Sequence, residues 1–307
     1  MGRLIFSALF LGLWAAAPAV VPQEVGPPIL TIRTDLVTLS VTVVDRHGAL
    51  VTGLRVEDFT VFENGEPRSI EFFTSDDLPA TIGLIVDSSG SMRGRRAEVT
   101  TAADAFIAMR HPLDEFFSLN FNDVVWPGLP PGVDFTDEAR RLRAALSAAP
   151  AEGRTALYDA VDRGMRHLER GTRDRKALIV VSDGGDNAST RPLDDVVDHA
   201  RRANVSIYTV TLFDPDNRDA RPAVLKTLAR ETGGRVFTAR RTEDVVRAFT
   251  RIAQEIRSGY SIGFAPPQAA EGGFRSIRVA VDAGDHRQLV ARTRAGYYAE
   301  PSGATVR

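Results

Sequence analysis

The chain has 307 residues, of which 43% are hydrophobic, so it can bury the core of one large domain or two modest ones. Its formal net charge is −2, and acidic and basic residues are mixed along the chain, which argues against nucleic acid or an anionic membrane as the main partner. The chain has no cysteine, so neither disulfides nor a lipidated cysteine can stabilise or anchor it.

Residues 1–19 are predicted to form a secretory signal peptide. Arg3 precedes an apolar run from Leu4 to Ala17, and the small residues APA end at position 19. The run is short for a bilayer span, although a retained membrane anchor is the alternative. We therefore expect an exported protein, periplasmic or secreted, that has a Pro-rich leader at 20–28 and no stable membrane span after cleavage.

An N-terminal β segment is predicted over residues 29–78. Apolar and polar residues alternate in the runs LVTLSVTVVD and LRVEDFTVFENGEPRSIEFF, which is typical of half-buried strands. The turn sequences RHG at 46–48 and ENG at 63–65 separate the runs and favour antiparallel hairpins. These few strands cannot bury a core alone, so the segment needs partner strands.

Residues 80–257 have a different pattern, in which short apolar runs alternate with amphipathic stretches. We predict strands at 81–87, 116–121, 177–183, 205–213 and 235–239. We predict helices at about 95–110, 137–148, 155–169, 193–203, 220–232 and 242–257. Strands that alternate with helices indicate right-handed crossovers, so the predicted fold is α/β with a doubly wound, mainly parallel sheet.

The alternating pattern of the N-terminal segment returns over residues 258–300, in the runs GYSIGFAPP, FRSIRVAVD and GYYA. Unpaired strand edges would be a liability in either terminal piece. We therefore expect the two pieces to complete one small β-sandwich-like module.

Three polar motifs fall at strand ends or helix starts of the predicted sheet, namely DSSGS at 87–91, GRTAL at 153–157 and SDGGDN at 182–187. Each motif alone is more commonly a helix cap or a turn. In a doubly wound sheet, however, the binding crevice lies beyond the carboxyl ends of the strands, where Asp87 and Asp183 are predicted. Hydroxyl and carboxylate oxygens are also hard ligands that suit Mg²⁺.

The order and placement of these motifs resemble the metal-ion-dependent adhesion site of the von Willebrand factor type A (VWFA) domain, and the resemblance covers about residues 80–257. The flanking β runs are similar to those that bracket this domain in bacterial VWFA-related proteins common in Acidobacteria. The resemblance implies a Rossmann-like domain and a metal site with five ligands: Asp87, Ser89, Ser91, Thr155 and Asp183.

The resemblance further implies how such a site works. The serine and threonine hydroxyls bind the ion, and the two aspartates contact it directly or through water. The implied ion is Mg²⁺, with Mn²⁺ or Ca²⁺ as alternatives, and an open coordination position accepts a carboxylate of a protein partner.

Two positions depart from the family pattern. Arg154 stands where a second glycine often precedes the threonine, and Gly185 stands where a glutamate often follows the SDG motif. Arg154 would either help to hold an acidic ligand or point to solvent, and we expect solvent because most arginines are exposed.

No sequence motif indicates an enzyme. The five histidines are scattered and form no zinc pattern, and the hydrolase elbow and the glycine-rich phosphate-binding motifs are missing. A metal-dependent phosphotransferase is the enzyme alternative, but it would need a second acid where Ser89 stands and a lysine near the phosphate, and Lys176 and Lys226 are the only lysines. We expect a Mg²⁺-dependent protein-binding module, with a structural envelope-assembly protein whose ion only stabilises the fold as the alternative.

Overall fold

The computed structural model describes residues 36–147, 151–212, 221–267, 272–284 and 288–299. The predicted signal peptide at 1–19, the leader at 20–28 and the start of the N-terminal β segment lie outside these ranges. Within the described ranges, no helix combines the length and the hydropathy that a membrane crossing requires.

The N-terminal segment forms four strands: β1 (Val37–Asp45), β2 (Phe59–Glu63), β3 (Glu66–Arg68) and β4 (Phe72–Thr74). Strands β2 and β3 pair as an antiparallel hairpin around Asn64 and Gly65. Both turn residues have positive φ, 50° and 87°, which is the conformation that the Asn-Gly pair favours in a two-residue hairpin turn. The predicted hairpin at this position is therefore confirmed.

The central sheet has six strands: β5 (Ala80–Asp87), β6 (Glu115–Phe121), β7 (Val125–Pro127), β8 (Arg175–Ser182), β9 (Ser206–Leu212) and β10 (Val236–Ala239). Their spatial order is β10-β9-β8-β5-β6-β7. All pairings are parallel except that of β7, which runs antiparallel to β6 at the edge of the sheet. This short edge strand was not predicted, and the rest of the sheet agrees with a doubly wound topology.

The helices that cover this sheet are α1 (Arg96–Ala108), α2 (Ala139–Ser147), α3 (Leu157–Glu169), α4 (Leu193–Arg202), α5 (Pro222–Thr232) and α6 (Thr242–Arg257). Strand β5 shows why the sheet must be covered on both faces, because all eight of its residues are buried. Leu84 and Val86 pack with apolar residues of α1 and α6, whereas Ile85 packs with those of α3, α4 and α5. The two faces of the sheet thus have separate apolar clusters.

The C-terminal segment adds β11 (Tyr260–Phe264), β12 (Gly273–Val281), β13 (Leu289–Arg292) and β14 (Gly296–Ala299). Together with the N-terminal strands they form two four-stranded sheets, β13-β1-β11-β4 and β14-β12-β2-β3. Residues from both sheets share one apolar cluster that includes Leu39, Val61, Tyr260 and Ile277. The predicted β-sandwich-like module is confirmed, and we call these two sheets the β module.

Candidate metal site

The first and third predicted motifs meet at the carboxyl edge of the central sheet. Strands β5 and β8 are parallel neighbours, and Val86 lies opposite Val181. The next residues, Asp87 and Ser182, therefore leave the sheet side by side, and Asp183 begins the loop after β8. The side chains of both aspartates are buried, with exposed fractions of 0% for Asp87 and 4% for Asp183.

Hydroxyl and carboxylate groups of these two loops contact each other. The backbone N–H of Ser89 donates to Asp87 Oδ1 at 2.8 Å, and the Ser89 and Ser91 Oγ atoms are 3.1 Å apart. Ser91 Oγ donates to Asp183 Oδ2 at 3.0 Å, which links the loop after β5 to the loop after β8. Four of the five predicted ligands are thus joined in one chain of hydrogen bonds.

The fifth predicted ligand, Thr155, lies in the loop before α3. Its backbone N–H donates to the side-chain oxygen of Asn187 at 2.9 Å, and its carbonyl accepts the N–H groups of Asn187 and Ala188. Gly153 in the same loop has φ +83°, and its carbonyl accepts the Gly90 N–H at 3.2 Å. These backbone contacts hold the loop of Thr155 against the loops after β5 and β8.

Helix capping does not account for these hydroxyls. Ser89 is the N-cap residue just before the short 3₁₀ turn Gly90–Met92, and its side chain makes no capping hydrogen bond. Helices α1 and α3 are preceded at their N-caps by Arg95 and Ala156, again without side-chain capping bonds. The common structural role of Ser and Thr at helix starts is therefore absent here.

The electrostatics of the site centre on Asp87. Burial raises the pKa of Asp87 to about 6, hydrogen bonds from Ser89 and Ser182 offset part of this rise, and the charge of Asp183 adds to it. Two carboxylates held close together in a buried place favour a cation, because a positive charge would stabilise both in their ionised form.

Four of the predicted ligands line an open pocket of about 190 Å³: Ser89, Ser91, Thr155 and Asp183. Asp87 lies behind the pocket, where it holds the backbone of Ser89. The donor atoms are oxygens only, which fits a hard cation such as Mg²⁺. Among the described residues, no group of three or more His, Asp or Glu side chains offers a different metal site.

Two residues that the sequence analysis did not assign support the site. Ser182 Oγ donates to Asp87 Oδ2 at 2.7 Å, and its oxygen accepts the Gly184 N–H at 3.1 Å. Asn187 lines the pocket and fixes the loop of Thr155. Both lie in the SDGGDN motif, and a polar residue directly at the end of an apolar strand was the signal that could have indicated Ser182.

Arg154 also lines the pocket, and its side chain is 67% exposed. Its Nε donates to Asp123 Oδ1 at 2.8 Å, and its backbone N–H donates to Asp123 Oδ2 at 3.1 Å. These hydrogen bonds lower the pKa of Asp123. The guanidinium is exposed as expected, but it is held at the rim of the pocket by an ion pair.

The fold and the oxygen-lined pocket define a doubly wound α/β domain with a ligand pocket at the carboxyl edge of its sheet. Residues 81–251 match the von Willebrand factor type A domain, so the chain belongs to this family, as the motifs predicted. No curated protein sequence matches the chain.

Solved structures with the same fold are distant in sequence. A von Willebrand factor type A protein from Catenulispora acidiphila is 12% identical, covers 86% of this chain and 75% of its own, and has a TM-score of 0.52. The vWF domain of the type V pili tip protein Mfa5 from Porphyromonas gingivalis is 14% identical, with coverages of 59% and 95% and a TM-score of 0.50. Proximal thread matrix protein 1 from the mussel byssus is 14% identical, with coverages of 64% and 50% and a TM-score of 0.50. At these identities the comparisons establish the fold.

Proposed function

We propose that this protein is a protein-binding module that captures a carboxylate of its partner through a bound Mg²⁺ ion. The proposed ligands of the ion are Asp87, Ser89, Ser91, Thr155 and Asp183. The observation that carries the proposal is the hydrogen bond from Ser91 to Asp183 in a pocket whose hydroxyls cap no helix. It joins oxygen atoms of the loops after β5 and β8 around one small open space.

The charge and the shape of the pocket support an external ligand. Two carboxylates formally neutralise a divalent ion and the three hydroxyl ligands add no charge, so the site itself presents no excess negative charge to a partner carboxylate. Mg²⁺ takes about six oxygen ligands and retains water readily, so an ion at the base of an open pocket has positions left for exchange. A carboxylate on a partner protein could replace such a water.

The names of two proteins that share the fold support a role in adhesion or assembly, since one is a pilus tip protein and the other a thread matrix protein. An exported location, periplasmic or secreted, is part of the proposal and depends on the predicted signal peptide at 1–19. Mn²⁺ or Ca²⁺ would satisfy the same oxygen donors, so the identity of the ion must be measured.

The positions of the two lysines argue against the phosphotransferase alternative. Lys176 lies opposite Thr81 at the amino end of β8, about 20 Å from Ser182 at 3.3 Å per residue. Lys226 is exposed on α5, and neither lysine lines the pocket. The geometry offers no lysine that could neutralise a phosphate beside Asp87.

The ion can be tested by thermal unfolding of the full chain in Mg²⁺ and in EDTA. At a concentration of one hundred times the Kd, Mg²⁺ should add about 2.7 kcal/mol of stability. Asp183→Asn should abolish this gain, whereas Asp195→Asn, an exposed aspartate on α4, should retain it. Equal melting temperatures of the unmodified protein in Mg²⁺ and in EDTA would refute the metal site.

Measuring partner capture distinguishes the proposed protein-binding function from the structural alternative, in which the ion only stabilises the fold. Immobilised full-length protein is crosslinked in a native envelope extract with Mg²⁺ or EDTA, and circular dichroism checks the fold in parallel. The proposal requires that capture be lost in EDTA and in Thr155→Ala while the fold persists. Capture that survives both changes would assign the ion a structural role and place the interface elsewhere.

A further inference from the structure

A second pocket lies at the amino edge of the central sheet, at the opposite end of the strands from the candidate metal site. This amino-edge crevice has a volume of about 400 Å³. One wall is the loop 171–174, the first two residues of β8 and residues 203–205 before β9. The other wall is the sheet β13-β1-β11-β4 of the β module. Crevices of this volume between packed layers are a common location of small-molecule sites.

Part of the crevice is apolar. Leu168 of α3 and Val205 are buried side chains that line it, and Phe72 of β4 lines the opposite wall with 42% of its surface exposed. A large aromatic side chain with this exposure offers area that a ligand could cover. The hydroxyls of Thr38 and Ser40 stand beside it, on the face of β1 that points away from the core of the β module.

The same crevice has three cationic residues, Arg173, Arg175 and Lys176. Arg175 is 7% exposed and donates only to neutral groups, the carbonyls of Ile256 and Gly259 and the hydroxyl of Ser261. Its charge is therefore buried without a directly bonded carboxylate, and burial lowers its pKa. Arg175 has a structural role, and the charges of Asp77 and Asp114 interact with its own.

Lys176 and Arg173 are the groups available to a ligand. Lys176 is half-buried, and its side chain makes no hydrogen bond or ion pair with any residue in the described ranges. Arg173 Nε is buried and has no hydrogen-bond partner in the same part of the chain. A buried donor without a partner is costly, so an acceptor at this position would be stabilising.

Acidic residues lie in and beside the crevice. Glu169 and Asp174 line it, and both are exposed. Glu169 is 64% exposed and approaches His199 at 3.4 Å, so it points toward a different neighbour. The lining has three cations and two exposed acids, and the charge of Glu115 beside the lining interacts with that of Arg173. The Lys176 side chain has no ion pair in the described ranges, so it is the charge left for a ligand beside the apolar wall.

We propose that the amino-edge crevice binds a small organic carboxylate that has an apolar portion. Lys176 and Arg173 hold the carboxylate, and the apolar portion packs against Phe72 and Leu168. An ammonium group and a guanidinium make charge-assisted hydrogen bonds to a carboxylate, and these are stronger than the hydrogen bonds of neutral donors. This site is independent of the metal ion and of partner capture at the carboxyl edge.

Octanoate is the probe, titrated calorimetrically into the full chain in the presence of EDTA so that the metal site cannot contribute. One molecule should bind, and 1-octanol, which has the same apolar chain without the charge, should bind at least tenfold more weakly. Lys176→Gln should weaken octanoate binding about tenfold or more, because a charge-assisted hydrogen bond is lost. Lys226→Gln, which changes the exposed lysine of α5, should leave it unchanged.

Phe72→Ser provides a second variant that keeps the charges and removes the apolar wall, and it should also weaken octanoate binding. Thermal unfolding checks that each variant is folded. The site is refuted if octanoate does not bind, if 1-octanol binds equally well, or if Lys176→Gln and Lys226→Gln bind octanoate alike.

Discussion

At the carboxyl edge of the central sheet, buried aspartates and hydroxyls surround an open pocket, whereas two arginines, a lysine and two exposed acids line the crevice at the amino edge. Asp87 and Asp183 lie at the first edge, and Arg173, Arg175 and Lys176 lie at the second. In a doubly wound sheet the helices begin beyond the carboxyl ends of the strands and end near the amino ends. The helix dipole is positive at the start and negative at the end, so it favours acids at one edge and bases at the other.

The two edges also differ in how their charges are used. At the carboxyl edge, polar groups from three loops face one open pocket. At the amino edge, Arg175 ties the end of α6 to β11, and the buried Glu255 of α6 pairs with Arg235, Arg251 and Arg292. Arg292 belongs to β13, so this cluster attaches the β module to the central domain. Charge at the carboxyl edge thus faces an open pocket, whereas much of the charge at the amino edge is paired within the fold.

The largest expected effect comes from removing the buried Glu255 at the amino edge. Glu255→Ala should lower the free energy of unfolding by about 3–5 kcal/mol, because three arginines lose their shared carboxylate in a buried place. Urea denaturation measures this loss. Glu138→Ala is the matched control, since it removes an ion pair whose two side chains are about half exposed and should cost less than about 1 kcal/mol. Equal losses in the two variants would contradict the structural role of the cluster.

A smaller effect is expected at the carboxyl edge, where Ser182 supports Asp87. Ser182→Ala removes the hydrogen bond to Asp87 Oδ2, so it should weaken Mg²⁺ binding about tenfold, as loss of a group that orients a metal ligand does. Calorimetric titration with Mg²⁺ measures the change. Ser147→Ala at the exposed end of α2 should bind Mg²⁺ like the unmodified protein. An unchanged Mg²⁺ affinity in Ser182→Ala would show that Asp87 needs no such support.

The smallest expected effect concerns the rim of the metal pocket. Arg154→Gln removes an exposed ion pair to Asp123, and such pairs contribute little to stability. The melting temperature and the Mg²⁺ affinity should both stay within experimental error. A loss of Mg²⁺ affinity in this variant would show that the Arg154 loop organises the metal ligands and does not only border them.

The long elements of the fold and several short strands, such as β10 and β14, could be predicted, but β7 and β13 could not. A fully apolar run such as that of β5 indicates a strand covered on both faces, and amphipathic stretches of three turns or more indicate helices. Strand β7 has three residues and β13 has four, so neither carries a periodic pattern. Both exist because a neighbouring strand offers hydrogen bonds, which is a property of the tertiary structure.

The candidate site was also predicted only in part. The motifs predicted five ligands, and the structure joins Asp87, Ser89, Ser91 and Asp183 by hydrogen bonds and places Thr155 in the same pocket. The bound ion itself stays a prediction. The position of Ser182 at the end of an apolar strand marks it as a candidate, but the partners of Ser182 and Asn187 could not be predicted from the sequence. These partners lie far away in the chain and become neighbours only in the folded protein.

The sequence by itself determined the order of strands and helices, the family and the polar residues at the carboxyl edge. These follow from local periodicity and from residue types at fixed spacings. Only the tertiary structure decided that β1 lies between β11 and β13, and that Phe72 of β4 faces Lys176 of β8 across one crevice. Such contacts depend on which surfaces pack when the chain folds, and residues distant in sequence carry no local pattern that records this packing.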